Sequence, residues 1–112
     1  MARPDWYCDD VLSGKLTVKK IWEDERVLVF YHPDQNVKYH ALVIPKKHIS
    51  SIMDQAAIDS ALLTSMVTGV QKAAIELGLD QKGFFVRTNA VHADVTPHMH
   101  WHVQELEKSF GM

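Results

Sequence analysis

Three histidines alternate with apolar residues in the run His98-Met99-His100-Trp101-His102. Along an extended strand successive side chains point to opposite faces. This spacing sets three imidazoles on one side and turns Met99, Trp101 and Val103 toward a core. Three imidazoles on one face repel one another when protonated, so the arrangement makes sense if they share a ligand such as a metal ion or a phosphate. A half-buried strand with a chance polar face would account for one such histidine. It accounts poorly for three in strict alternation with a fourth, His40, on a neighbouring predicted strand. In a metal reading, histidines two apart on a strand chelate zinc, with Asp94 the one conveniently placed carboxylate. In a phosphate reading, a neutral imidazole nitrogen attacks phosphorus and forms a labile phosphoramidate that water then cleaves. A second imidazole, protonated near neutral pH, donates to the leaving group, and a third holds the tautomer of the nucleophile. That division of labour needs several histidines close together and no metal.

The elements that must position them are readable in outline. Residues 5–13 suit a short helix stopped at Gly14, and 15–21 a short strand. The acidic stretch 23–26 reads as a turn. The β-branched and aromatic run 27–31 predicts a buried strand, and 39–44 a second one, ended by Pro45. Asp54 is placed to cap one long helix over 55–77, with Ile58, Leu62, Met66, Val70, Ala73 and Leu77 along one face and Gly78 as its stop. Gly69, inside that helix, costs about 1 kcal/mol against alanine; a close neighbour or simple tolerance would each explain it. Residues 84–88 form a third clear strand, 90–97 a polar loop, and 98–104 the last strand. The order predicts an α+β domain: an antiparallel meander of about five strands with one long helix and a short N-terminal helix.

A chain of 112 residues suits a single domain, 1–112, with one modest core that oligomerisation would extend. The formal net charge is −2 and no basic stripe occurs, which speaks against a nucleic-acid partner. No stretch is apolar enough to span a bilayer, and Met1-Ala2-Arg3-Pro4-Asp5 lacks the apolar centre of a secretory signal, so a cytoplasmic location and no membrane partner are expected. A lone cysteine, Cys8, excludes an internal disulfide.

The run His98-Met99-His100-Trp101-His102-Val103-Gln104 resembles the signature of the histidine triad (HIT) superfamily, in which three histidines alternate with apolar residues. The segment His40-Ala41-Leu42-Val43-Ile44-Pro45-Lys46-Lys47-His48-Ile49 is similar to the corresponding stretch of the Hint branch of that superfamily. So are Trp22-Glu23-Asp24-Glu25 and the following Val27-Leu28-Val29-Phe30. The resemblance covers nearly the whole chain. It implies an antiparallel sheet with a long helix, a homodimer in which the sheets join, and hydrolysis or transfer of nucleoside monophosphate groups, with no cofactor and no catalytic metal. By this resemblance His100 would be the nucleophile that carries the nucleotidyl group, and His102 would bind phosphate and assist the leaving group. His98 and His40 would orient and polarise those two. Asn89 would hydrogen-bond the phosphate or ribose, with Asp94, Thr96 and His32 in the nucleotide site. His48 reads as a surface residue beyond the strand end.

Several positions depart from the family. The loop before the triad carries no glycine where relatives are glycine-rich, a composition that lets backbone N–H groups approach phosphate. Asp94 replaces a glutamine, Val95 a hydroxyl residue with Thr96 beside it, and Pro97 removes a backbone donor. His32 stands where the family has a ribose-binding acid, with Asp34 nearby. Some relatives bind zinc through a Cys-x-x-Cys pair; here the stretch is Asp5-Trp6-Tyr7-Cys8, one ligand short, so no zinc site is expected. The last position of the motif is the polar Gln104, and the chain stops soon afterwards, at Met112. Enzyme readings (phosphoramidase, dinucleoside polyphosphate hydrolase, zinc-dependent hydrolase) therefore stand beside a non-catalytic nucleotide-binding or sensing module.

Overall fold

The computed structural model describes residues 4–34, 38–91 and 96–106. Five antiparallel strands make one sheet: β1 (Lys20–Glu23), β2 (Val27–Tyr31), β3 (His40–Pro45), β4 (Phe84–Thr88) and β5 (Trp101–Glu105), in the spatial order β1-β2-β3-β5-β4. The α+β class and the single long helix expected from the sequence are both present. β2 and β3 are buried along almost their entire length because both faces of the sheet are covered, so their sequences run continuously apolar.

One face carries α1 (Ser60–Leu77). Leu62, Met66, Val70 and Ala73 of the helix pack on Val27, Val29, Ala41, Val43, Met99 and Val103. The opposite face, formed by Leu28, Phe30, Leu42 and Ile44, is covered by a π-helical turn, Tyr7–Val11, through Tyr7 and Val11. That turn falls inside the helix expected over 5–13.

Three boundaries differ from expectation, each for a local reason. The long helix starts at Ser60: Asp54 caps only a short 3-10 turn, Gln55–Ile58, while the Asp59 side chain accepts from the Leu62 N–H and caps α1. Ile58 consequently sits outside the apolar stripe and is exposed. The first strand begins at Lys20, later than the stretch 15–21 suggested. The last strand begins at Trp101, so His98, Met99 and His100 precede the ladder. Their alternation survives nonetheless, because Met99 is tied to Ile49 by a backbone hydrogen bond of 2.6 Å and packs with the α1 face.

Gly78 ends α1 in the left-handed conformation, φ 73°. Gly69 is explained by close approach. A Cβ there would stand 2.8 Å from Val29 Cγ2 and 3.1 Å from Val43 Cγ1, so glycine lets α1 settle onto the centre of the sheet. Gly69→Ala would gain about 1 kcal/mol of helix propensity against an overpacking cost of about 1–3 kcal/mol. A net loss of up to about 2 kcal/mol is expected in urea denaturation, and a more stable variant would show that the valines yield.

Candidate active site

Sheet register assembles the histidines. β3 and β5 pair Leu42 with His102 and His40 with Gln104, so His40 and His102 are diagonal neighbours on the face that also carries Leu42. His40 Nε2 and His102 Nδ1 lie 2.9 Å apart, a hydrogen bond between imidazoles. His32, just past β2, lies against His40 with ring centroids 4.6 Å apart, and His100 lies against His102 at 5.1 Å. Tyr7 of the N-terminal turn covers His100 and His98, at 5.0 and 5.7 Å between ring centroids.

Hydrogen bonds to backbone carbonyls assign two tautomers, since a carbonyl only accepts. His100 Nδ1 is 2.7 Å from the His98 carbonyl, so Nδ1 carries the proton and Nε2 of the neutral ring keeps its lone pair. His98 is fully buried, and its Nε2 donates to the Pro45 carbonyl at 2.8 Å. Its Nδ1 faces Asp5 Oδ2 at 2.8 Å and Cys8 Sγ at 3.4 Å. The backbone of His100 is held in turn by Thr88 of β4, whose hydroxyl donates to the His100 carbonyl at 3.0 Å. Nothing in the sequence pattern singled out Thr88; its role depends on β4 lying beside β5.

Burial sets the electrostatics. It pushes the His102 imidazole down to about 3, helped by the charges of His100, His40 and Arg87. It pushes His40 down to about 4, helped by His32 and Arg87. His32 is also lowered by burial, with Asp34 opposing. At about 4 and about 3, His40 and His102 are neutral at neutral pH while the site is without a ligand. His102 Nε2 is buried with no hydrogen-bond partner among the described residues. An orphaned buried nitrogen is costly, and an entering oxygen ligand would satisfy it.

A cleft of about 760 Å³ opens beside these rings. His102, His32, Thr96 and Tyr7 line it, with Asp9, Asp10 and Lys15 at its polar side. Asn89 is exposed one residue past β4 and does not line this cleft. Asp94 lies outside the described residues. Val91 takes φ 58°. A β-branched residue is strained in that left-handed region, where glycine is not.

A second cluster joins the first at His98. Ligand atoms of Asp5, Cys8, His48 and His98 all lie within 4.8 Å of one another. Asp5 Oδ2 bridges His98 and His48, the latter at 2.5 Å, while its Oδ1 accepts from the Cys8 N–H at 3.0 Å. Burial would raise the Asp5 carboxyl, but the Cys8 N–H and thiol and the His98 ring outweigh it and bring it down to about 2. Burial and the charge and hydrogen bond of Asp5 push the Cys8 thiol up to about 11. Asp5 thus occupies the place where the sequence reading counted a ligand missing, and the exposed His48 proves to be joined to the triad.

An antiparallel sheet with helix and N-terminal turn on opposite faces, and a row of hydrogen-bonded imidazoles at one end of its central strands, defines a histidine-triad type of protein. The HIT domain family pattern matches residues 13–108. The chain belongs to the HIT domain family. It is 32% identical over 102 residues to an uncharacterized HIT-like protein of Helicobacter pylori strain 26695, covering 89% of this chain and 95% of that protein. A histidine triad protein from Clostridium difficile superposes with a TM-score of 0.77 at 32% identity, covering 96% of each chain. A HIT family hydrolase from Legionella pneumophila superposes with a TM-score of 0.77 at 28% identity, covering 91% of this chain and 92% of that one. No helix among the described residues is long and apolar enough to cross a membrane.

The lowered imidazoles predict acid sensitivity. A histidine whose folded value is depressed takes up its proton more readily when unfolded, so stability is full above the unfolded value and falls as pH drops. For His40 the loss runs from about 6.5 down to about 4. The melting temperature is expected to fall through this window, and His40→Leu to flatten the slope. A melting temperature independent of pH there, in both proteins, contradicts the assignment.

Proposed function

We propose that this chain is a hydrolase that releases nucleoside monophosphates from phosphoramidates through a covalent nucleotidyl-His100 intermediate. The observation that carries the reading is the His100 tautomer: Nδ1 is committed to the His98 carbonyl, which leaves the Nε2 lone pair as the nucleophile. Nε2 attacks phosphorus, a bond forms between them, and the bond from phosphorus to the leaving amine breaks. The positive charge that develops on the ring is stabilised at Nδ1 by the same carbonyl. The leaving amine takes a proton from His102, protonated once the phosphate is bound. Water then attacks phosphorus and gives a proton back to His102, the phosphorus–Nε2 bond breaks, and the neutral His100 imidazole is restored.

His102 and His40 act as a relay. With His40 Nε2 donating to His102 Nδ1, the orphaned His102 Nε2 carries a hydrogen that a phosphoryl oxygen accepts. The negative charge of the bound phosphate then opposes the desolvation that keeps His102 neutral, which favours its protonation when substrate is present. Thr88 keeps the His100 backbone in place. The nucleoside half lies in the cleft beside Tyr7, His32 and Thr96.

Among the described residues, Asp9 and Asp10 face that cleft against one cation, Lys15. Extra phosphates would meet like charge there, so a phosphoramidate suits the site better than a dinucleoside polyphosphate. The Legionella relative is named a hydrolase, which agrees with a catalytic rather than a sensing role. Cytoplasmic location and homodimerisation belong to the same reading; β4, an edge strand with Val86 exposed, offers a sheet edge for a second copy. Zinc, which some family members hold near the N-terminus, would be held here by Asp5, Cys8, His48 and His98. It would fix structure at that position, and no reaction step runs through it.

Mixing the protein with adenosine 5′-phosphoramidate and reading intact mass is expected to show a nucleotidyl adduct on His100. His100→Ala should lose the adduct and at least about 10²-fold in kcat/KM. Equal turnover by wild type and His100→Ala overturns the proposal. Tight nucleotide binding without turnover would favour the sensing module.

A further inference from the structure

We propose that Arg87 selects substrates whose leaving amine carries a carboxylate, the class of nucleoside phosphoramidates linked through nitrogen to an amino acid. The inference rests on the phosphoramidase reading for the reaction and adds to it the class of leaving group.

Strand register places Arg87. β5 lies between β3 and β4, and His102 has a direct partner on each: Leu42 on β3 and Arg87 on β4. Residues directly opposite in an antiparallel pair project from the same face, with Cβ atoms about 4.5–5.5 Å apart. His102 therefore stands between two unlike neighbours on the face that carries the imidazoles. Leu42 lines the cleft assigned to the nucleoside, and Arg87 stands on the other flank, outside the described lining of that cleft. With the nucleoside on the Leu42 side and His102 giving its proton to the departing amine, whatever that amine carries is presented to β4. Arg87 is the one charged side chain of that strand.

This guanidinium is available to a ligand. It is exposed. Elsewhere cations are occupied: Lys20 and Lys46 face Glu23, Arg26 faces Glu25, and Lys19 and Lys82 lie over tyrosine rings. Among the described residues Arg87 has no such partner, and alternation turns Glu105 of β5 to the opposite face. Its charge nevertheless reaches the site, where it helps to keep both His40 and His102 neutral. An anion paired with Arg87 cancels that repulsion, which favours the protonated His102 that the leaving amine needs.

The reaction sets an amine at His102, and an amino acid carries its carboxylate one carbon from its amine. Guanidinium meets carboxylate through two parallel hydrogen bonds, which fixes orientation as well as charge. The bonds made and broken stay those given above: the phosphorus–nitrogen bond breaks, the His102 proton goes to nitrogen, and the amino acid leaves with its carboxylate ionised.

The test compares two substrates that differ only in this charge, the adenosine 5′-phosphoramidates of glycine and of glycinamide, on the full chain. Wild type is expected to favour the glycine compound about fivefold in kcat/KM, the size of a well-placed exposed ion pair. The preference should shrink as salt rises. Arg87→Gln should bring the ratio close to one, and Arg87→Lys should keep part of it. Lys72→Gln removes a charge from α1, on the other face of the sheet, and should keep the wild-type ratio. Turnover of both compounds by wild type without preference overturns the inference and leaves the phosphoramidase reading standing. A loss in Arg87→Gln that is equal for the two compounds also overturns it, because the cation then acts on the phosphoryl group or on the fold. Where neither compound is cleaved, the phosphoramidase reading falls and the ratio is read as dissociation constants by calorimetry. The same preference, abolished in Arg87→Gln, then upholds Arg87 as the carboxylate site, and equal constants overturn it.

Discussion

A single buried imidazole ties the molecule together. His98 has no solvent exposure, so each of its ring nitrogens must find a partner within the protein or bear a desolvation cost of about 1–3 kcal/mol. Nε2 finds the Pro45 carbonyl at the end of β3, and Nδ1 finds Asp5 from the N-terminal segment. The carbonyl of the same residue accepts from His100 Nδ1. Through one residue the central strand, the N-terminal turn and the candidate nucleophile share a common reference. The tautomer of His100 follows from that attachment and not from any property of His100 itself.

Around this anchor the imidazoles form a row, His32–His40–His102–His100, with successive centroids 4.6, 5.0 and 5.1 Å apart. Such a row is tolerable because burial keeps its two central members, His40 and His102, neutral. Charged together in a low-dielectric setting they would repel strongly. Neutral rings can donate and accept along the row. The apolar cover from Tyr7 and Leu42 therefore shapes the electrostatics of the row as well as the core.

Much of this was legible beforehand because it depends on periodicity. The alternation of the triad, the buried runs of β2 and β3, the amphipathic stripe of α1 and the Gly78 stop each follow from a local repeat or a local backbone preference. Where local signals compete, the reading slipped. Asp54 and Asp59 are both capable caps, and the 3-10 turn between them decided which one starts α1. His98 to His100 alternate as a strand would, yet the partner of Met99 is Ile49 rather than a ladder neighbour, so the strand proper starts later. Gly69 carried two meanings until Val29 and Val43 were placed beneath it.

Residue types and spacing by themselves determined the class of fold and the face that carries the imidazoles, because side-chain periodicity and chemical type are properties of the chain alone. Tertiary structure decided which nitrogen of each ring holds the proton, how far burial lowers His40 and His102, and that Thr88 supports His100. It also decided that Asp5, Cys8 and His48, remote from the triad in sequence, meet at His98. Proton positions and ligand sets are fixed by what lies within a few ångströms, and those neighbours are chosen by how the strands pair and how the N-terminal turn folds back.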